Sequence, residues 1–559
     1  MENFKITMGD FLKNAGIVGM KYMLDLSEAK EERDYGIDNE QQALWLAPEF
    51  AVNADWTEMY FKAFVECFGP STVYQGVLDR IQSILDKLEV EEWKPGKEEK
   101  DFLKYINDKL LSNSYQAGYE NIKDKIEHPE IYQELKQNKL NDKMNNSELR
   151  DRLTELESFL RQPLCKETFS MKSIVYTYIN RFWDGKCFLL RANAKKDMRE
   201  LFEKEFSVPV REYWKSDHKK AKELCIDCGE LMDTKEKVSI AFMKEMADDL
   251  TRKRSAFWNC KVDAFLCPVC AYVYALSPLG FQLFANKFMF INTNESLTSL
   301  LKANSKTGKY GHESEKREEE KYSAWFARIM NIILGEKVLE MSNIQVILRG
   351  ISAEDKYLLS IIRKDTLMIL KQKKVQASLQ WLGKHPFVKM NGEFVNVHEQ
   401  VVMNIFQYRN QYQLLNRLLK AALENESVMF AAYWVYVIQL WTGITQRKEK
   451  NERGIVMGRM AMRDNGYELR KSILASKGAS NDECLRGTVY QLLNALSVKN
   501  EEKFIDIVIR LYSSSKLLMP DGFVYMLGDK ERFQEYGYAF VLGLKGSYTE
   551  KVKEEKENE

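Results

Sequence analysis

Cys225-Ile226-Asp227-Cys228 and Cys267-Pro268-Val269-Cys270 are the stretches on which the reading of this chain turns. Two residues between paired cysteines let both sulfurs face one ion, and two such pairs supply the four thiolates of a closed tetrahedral zinc site. The bland alternative is a set of buried free thiols, since Cys packs as a small hydrophobe. Two C-x-x-C pairs among only nine cysteines argue against it. The pairs therefore predict a structural Zn2+ held by Cys225, Cys228, Cys267 and Cys270, in a zinc-ribbon-like module over residues 222–275. Cys67, Cys165, Cys187, Cys260 and Cys484 lack ligand spacing and read as core thiols.

Between the pairs, residues 229–266 form a longer insert than the roughly 15–20 residues of simple zinc modules. It has room for a helix over Lys237–Arg254. The cations Arg252, Lys253 and Arg254 suit a helix C-terminus. Followed by Phe257-Trp258-Asn259, they equally suit a nucleic-acid backbone held by charge and stacking. A catalytic reading also presents itself. Zinc deaminases place a glutamate two residues after one ligand and a P-C-x-x-C element further on, and Cys228-Gly229-Glu230 with Cys267-Pro268-Val269-Cys270 imitates this. However, Leu266 stands where that element has Pro, and Cys225 offers a fourth thiolate where a catalytic zinc keeps an open position.

With 559 residues the chain exceeds one ordinary core, and 45% hydrophobic with 12% aromatic residues can fill several. Its 83 basic and 82 acidic residues nearly cancel, so any nucleic-acid surface must be a local patch. The opening residues lack a basic-then-apolar signal pattern. The longest apolar run, Val428 to Trp441, falls short of the roughly 20 residues that span a bilayer and reads as a buried helix. Free cysteines and no export signal point to the reducing cytoplasm. No phosphate-binding glycine loop, no G-x-S-x-G and no H-E-x-x-H occurs, and the five histidines are scattered.

Near the N-terminus a short strand precedes Met8 to Met20, where Asn14, Gly16 and Gly19 interrupt a helical pattern. Glycines there mark either a helix packed closely on a neighbour or a backbone surface that meets a ligand. Lys13 and Asn14 are the polar candidates on the second reading. Ala43–Val52 looks like a hairpin or two short strands, and Phe182–Leu190 like a strand pair turned at Asp184-Gly185. Val73 to about Leu160 is helical in period and highly charged, broken at His128-Pro129 and at Asn138–Asn146. Phe288–Asn292 and Asn343–Arg349 read as strands, and Ser305–Lys321 as a surface loop.

From Val395 the period is almost wholly helical, which predicts a bundle of four or more helices. Basic residues gather at 447–453 and continue through Arg459, Arg463 and Lys471. A basic bundle edge would suit a single strand or a heteroduplex flank; interleaved acids favour an ordinary charged loop for 447–453. The expected fold is α+β and predominantly α. A mixed N-terminal region (1–221 and 276–390) carries the zinc module (222–275), and a helical bundle (391–559) follows.

Three features together resemble a known family. They are the paired C-x-x-C module, the opening Gly9-Asp10-Phe11-Leu12-Lys13-Asn14-Ala15-Gly16-Ile17-Val18-Gly19, and the C-terminal segments Tyr490–Leu496, Phe504-Ile505-Asp506, Arg510-Leu511-Tyr512 and Gly537–Leu544. Their order, from the N-terminus to about residue 546, is similar to that of the CXXC–CXXC family of type I-B CRISPR proteins. That family supplies the large subunit of the Cascade surveillance complex. The resemblance implies a non-catalytic protein that reads a short PAM in target double-stranded DNA and supports R-loop formation, while guide pairing reads the sequence. It also implies as partners the crRNA, the backbone and crRNA-processing subunits, and a separate helicase–nuclease. It further implies that the bundle can be made alone by internal translation, with Met403 and Met429 as conceivable starts. Against this stand the deaminase, which needs Glu230, and a zinc-stabilised scaffold that binds no nucleic acid.

Overall fold

A computed structural model of the chain describes residues 2–88, 94–245, 256–304, 344–350 and 356–546, except 257, 259, 285, 286, 295, 391, 449, 450 and 480. They fall into two compact units. The first runs from the N-terminus through the strands at 344–361, and the second starts at residue 362.

The first unit opens with a small antiparallel sheet, β1 (Phe4–Thr7), β2 (Tyr35–Asp38) and β3 (Ala43–Leu46), in the order β1-β3-β2. The segment expected to be a hairpin over Ala43–Val52 supplies β3 and then a helix, Pro48–Asn53. The proline explains the switch, because its fixed φ and missing N–H suit a first helical turn. Between β1 and β2 lies α1 (Phe11–Asp25). Asp10 caps it, its Oδ1 accepting the Lys13 N–H at 2.9 Å. Every residue from Leu12 to Met20 is buried, so α1 is surrounded rather than amphipathic.

Four short strands build the cysteine module: β4 (Glu223–Leu224), β5 (Leu231–Met232), β6 (Val238–Ser239) and β7 (Phe265–Leu266). β4 pairs with β5 and β6 with β7, both antiparallel. The chain then enters α2 (Pro268–Ala275), whose eight residues are all buried. A methyl group added at Gly16 of α1 would overlap the Val273 carbonyl oxygen of α2. One at Gly19 would overlap the carbonyl oxygen of Leu276, next in the chain. The glycines thus let two helices approach to backbone contact; the surface they make meets protein.

A second antiparallel sheet follows, β8 (Gln282–Phe284), β9 (Lys287–Thr293), β10 (Ile344–Gly350) and β11 (Tyr357–Ile362), in the order β11-β10-β9-β8. The two strands expected over Phe288–Asn292 and Asn343–Arg349 are β9 and β10, paired with Phe290 opposite Ile347. The charged stretch from Val73 is helical as its period predicts, and its helices bury their own core around Tyr74, Ile106, Tyr132 and Phe169.

Two expected elements are corrected. Phe182–Leu190 is no strand pair: a 3-10 turn at Ile179–Arg181 precedes it and another, Cys187–Leu189, lies within it. Burial of Trp183 and Phe188 in an aromatic core fixes the segment, and Trp183 keeps a single bridge to Met243. The helix expected over Lys237–Arg254 begins instead as β6 and a 3-10 turn, Ile240–Phe242, because pairing with β7 claims its first residues; positions 246–255 lie outside the described residues. The loop expected over Ser305–Lys321 also lies outside them. Of the cysteines read as core thiols, Cys165 and Cys187 are buried and Cys67 half-buried, whereas Cys260 and Cys484 are exposed.

In the second unit, helices Lys364–Lys371 and Lys373–Lys384 send Ile369, Leu370, Val375 and Leu379 into the bundle core. The bundle unit therefore begins near residue 362, not at 391. A hairpin, β12 (Phe387–Met390) and β13 (Glu393–Asn396), leads into helices that include α3 (Tyr412–Ala422), α4 (Val428–Arg447), α5 (Glu452–Lys477), α6 (Glu483–Ser497) and α7 (Lys530–Lys545). Among the described residues, α4 alone is long and apolar enough to cross a membrane, and it is mostly buried in the bundle.

Candidate metal centre

The first cysteine pair sits on a tight knuckle between β4 and β5. Cys225 N–H donates to the Glu230 carbonyl at 2.9 Å, and Gly229 N–H to the Cys225 carbonyl at 3.0 Å. Gly229 takes a φ of +74°, a left-handed turn that glycine adopts without strain. The second pair opens α2. Cys267 is the N-cap residue, its Sγ accepting the Cys270 N–H at 3.4 Å, with Pro268 in the first helical position. The Cys270 N–H donated to it and the local dipole both favour a thiolate there. The Ile226 N–H donates to the Phe265 carbonyl at 3.0 Å and ties the knuckle to β7.

These elements bring the four Sγ atoms within 4.8 Å of one another. Cys228 and Cys267 lie 3.8 Å apart, sulfur to sulfur. A tetrahedron with metal–sulfur bonds of about 2.3 Å has edges of about 3.8 Å, so the set has the dimensions of a four-thiolate metal site. Without a cation the four groups cannot all shed their protons. Hydrogen bonds from Cys228, Cys267 and Cys270 hold the Cys225 thiol far below its ordinary value, while contacts with Cys225 and Cys228 push Cys267 and Cys270 up. A divalent ion reverses that balance by deprotonating its ligands outright.

Lys13 reaches this centre from α1. Its side chain is 2% exposed, and its Nζ lies 3.0 Å from Asp227 Oδ2, inside the first C-x-x-C pair. Burial opposes the charge, yet Asp227 and the nearby cysteines hold the ammonium above its ordinary value. Asn14, fully buried, accepts the Gly9 N–H at 2.9 Å and donates to Asn292 Oδ1 at 2.8 Å; Asn292 in turn donates to Gln345 Oε1 at 2.9 Å. Tyr274 of α2 donates to Asp10 Oδ2 at 2.9 Å. Lys13 and Asn14 are therefore corrected from ligand-contact candidates to internal ties: one joins α1 to the knuckle, the other joins α1 to β9. Nothing in the sequence marks Asp227 as the partner of Lys13, because the pairing depends on tertiary approach.

The remaining candidates divide. Arg459 is buried and grips Glu535 with Nε at 3.1 Å and Nη2 at 2.8 Å. Arg447 holds the other oxygen of that buried carboxylate at 2.6 Å. Arg459 is thus corrected to a structural ion pair between α5 and α7. Arg463 is 12% exposed and lies 2.8 Å from Asp464. Lys471 is exposed, over the Tyr467 ring at 4.3 Å. Arg252, Lys253 and Arg254 lie outside the described residues. Glu230 is exposed and gives its backbone carbonyl to the knuckle; a fourth thiolate stands where an open position would be.

Residues 218–282, which contain the whole cysteine module and α2, match the family model described as CRISPR-associated protein (Cas_CXXC_CXXC). Neither a curated protein nor a solved structure matches the chain.

Proposed function

We propose that this chain is the non-catalytic large subunit of a type I-B Cascade complex. In that role it reads the PAM in target double-stranded DNA and supports R-loop formation beside the crRNA, the backbone and crRNA-processing subunits. A separate helicase–nuclease is then recruited, and the setting is the cytoplasm. The family match over residues 218–282 carries this reading. It is supported by the order of the other segments that resemble the family, which extend beyond the matched part.

Cys225, Cys228, Cys267 and Cys270 would hold Zn2+, whose role is to cross-link the knuckle to the head of α2. The protein's own part is mechanical. The knuckle fixes Asp227, Asp227 fixes Lys13, and α1 is thereby set against α2 and β9. Contact with nucleic acid falls to the candidates that remain, the exposed Lys471 and the basic sequence cluster Arg252-Lys253-Arg254, with phosphate contacts positioning the complex and guide pairing reading the sequence. The test is to co-express the chain with a guide RNA and the other subunits encoded beside it, purify through a tag on this chain, and measure binding to duplexes with and without a PAM. Recovery of the guide RNA with PAM-dependent binding is the expected result; a chain that purifies free of RNA sinks the reading.

A further inference from the structure

In the first unit a small cavity of about 60 Å³ opens beside the helix Pro163–Thr177. Thr168 and Lys172 line it from that helix; Asn121 lines it from the helix Asn113–Ile122 and Lys125 from just beyond. Lys172 is 4% exposed. Its Nζ donates to the Ala194 carbonyl at 3.3 Å, and it makes no other hydrogen bond and no ion pair among the described residues. An ammonium carries three donors, and a buried charge is ordinarily paired. Burial accordingly pushes Lys172 below its ordinary value, with Asp197 opposing from a distance. The lysine's place is nonetheless built. A methyl group added at Gly118 would stand 3.1 Å from Thr168 Cγ2 and 3.5 Å from Lys172 Cε, so the glycine leaves the room in which the stem lies.

Two carboxylates also line the cavity, and both are engaged. Glu167 accepts from Arg199 Nε at 2.6 Å and Nη2 at 2.5 Å. Asp197 accepts the Arg199 N–H at 2.8 Å and the Glu200 N–H at 3.3 Å. On the donor side the balance is reversed. The Thr168 hydroxyl, the Asn121 amide and the Lys125 ammonium have no hydrogen-bond partner among the described residues. The cavity therefore offers spare donors and one uncompensated buried cation, the complement of an anion. Size narrows the choice. One water fills about 10–15 Å³ of such space, so the cavity has room for about four to six heavy atoms. Phosphate, a central atom with its four oxygens, is of that size.

We propose that this cavity binds a phosphate-sized oxyanion. Lys172 neutralises it from the buried side, Thr168 and Asn121 donate to its oxygens, and the exposed Lys125 adds charge from the solvent side. Arg199 is already committed to Glu167 and Glu58, and shapes the wall rather than holding the ligand. The bound anion bridges the helices Asn113–Ile122 and Pro163–Thr177, so it stabilises the folded first unit by mass action. The inference stands apart from the proposed function, since it needs neither the metal centre nor a guide RNA.

The test uses the purified full chain in phosphate-free buffer. Inorganic phosphate is added at constant ionic strength, with chloride as the matched control, and the readouts are titration calorimetry and the unfolding midpoint of the first unit. Phosphate is expected to bind at one site and raise the midpoint, and chloride to do neither. Lys172→Met should abolish binding. Without phosphate it should unfold no lower than wild type, because an unpaired buried charge has been replaced by an apolar stem of similar length. Thr168→Val, which keeps the shape and removes the hydroxyl, is expected to weaken binding about tenfold. Phenyl phosphate in place of inorganic phosphate tells whether the anion is taken free or on a larger molecule, and binding of either supports the proposal. A wild-type chain that binds neither, equal responses to phosphate and chloride, wild-type affinity in Lys172→Met, or a lower midpoint for that variant without phosphate overturns it.

Discussion

At Lys13 the local sequence and the folded surroundings give opposite answers. A lysine in a glycine-rich opening invites a reading as a surface contact, yet its ammonium is enclosed with Asp227 at 3.0 Å. Breaking one side of such a pair leaves the other charge buried and uncompensated. Lys13→Met is therefore expected to destabilise the first unit by about 3–5 kcal/mol, whereas Lys13→Met with Asp227→Asn recovers at least half of the loss. Urea unfolding of the three proteins checks this. Equal stability for the single and double variants would show that Lys13 serves by packing its stem rather than by its charge. Arg459 repeats the lesson, for a lone arginine on a helix does not announce a buried Glu535 on another helix.

Elements read from periodicity hold better than elements read from short apolar runs. Val73 to Leu160 and the bundle after Val395 carry a sustained helical period, and they fold as helices. β9 and β10 are seven-residue strands built around the buried apolar runs Phe288–Ile291 and Val346–Leu348. The runs at Phe182 and Lys237 were ambiguous because their side chains serve an aromatic core and a module hairpin, both made by residues distant in sequence. The metal module was legible because ligand spacing is a local property. The tie of Lys13 to Asp227 was not, because its two partners meet only through tertiary approach.

The helix Val397–Phe406 also holds a pH response. Burial pushes the His398 imidazole down to about 4 from an ordinary 6.5. Between those values the unfolded chain takes up a proton that the folded chain refuses. Stability is therefore full above pH 6.5 and falls as the pH drops toward 4, by about 3 kcal/mol in all. His398→Gln should flatten the dependence of the bundle's urea midpoint on pH across that window; an unaltered slope assigns it to other groups.

For the whole molecule, separate cores predict separate melting. The metal centre lies in the core of the first unit, while the bundle packs around Leu415, Val435, Leu492 and Phe540. Chelation, or Cys225→Ser, is expected to lower the unfolding temperature of the first unit and leave that of the bundle in place, as followed by calorimetry with metal content measured in parallel. A single transition that moves as a whole would mean that the two cores unfold together.

The backbone contact between α1 and α2 has a bearing on how the protein is made. Tyr274 of α2 and its partner Asp10, at the head of α1, are 264 positions apart. At about 5–20 residues per second, a ribosome takes tens of seconds to cover that distance. Throughout that time α1 has emerged with no α2 to lie against, and its run of apolar residues is open to any passing sticky surface. The glycines that allow so close a fit add no helical stability of their own meanwhile. α1 is thus made well before the helix that houses it, and its apolar faces are covered only once the second cysteine pair and α2 have left the ribosome.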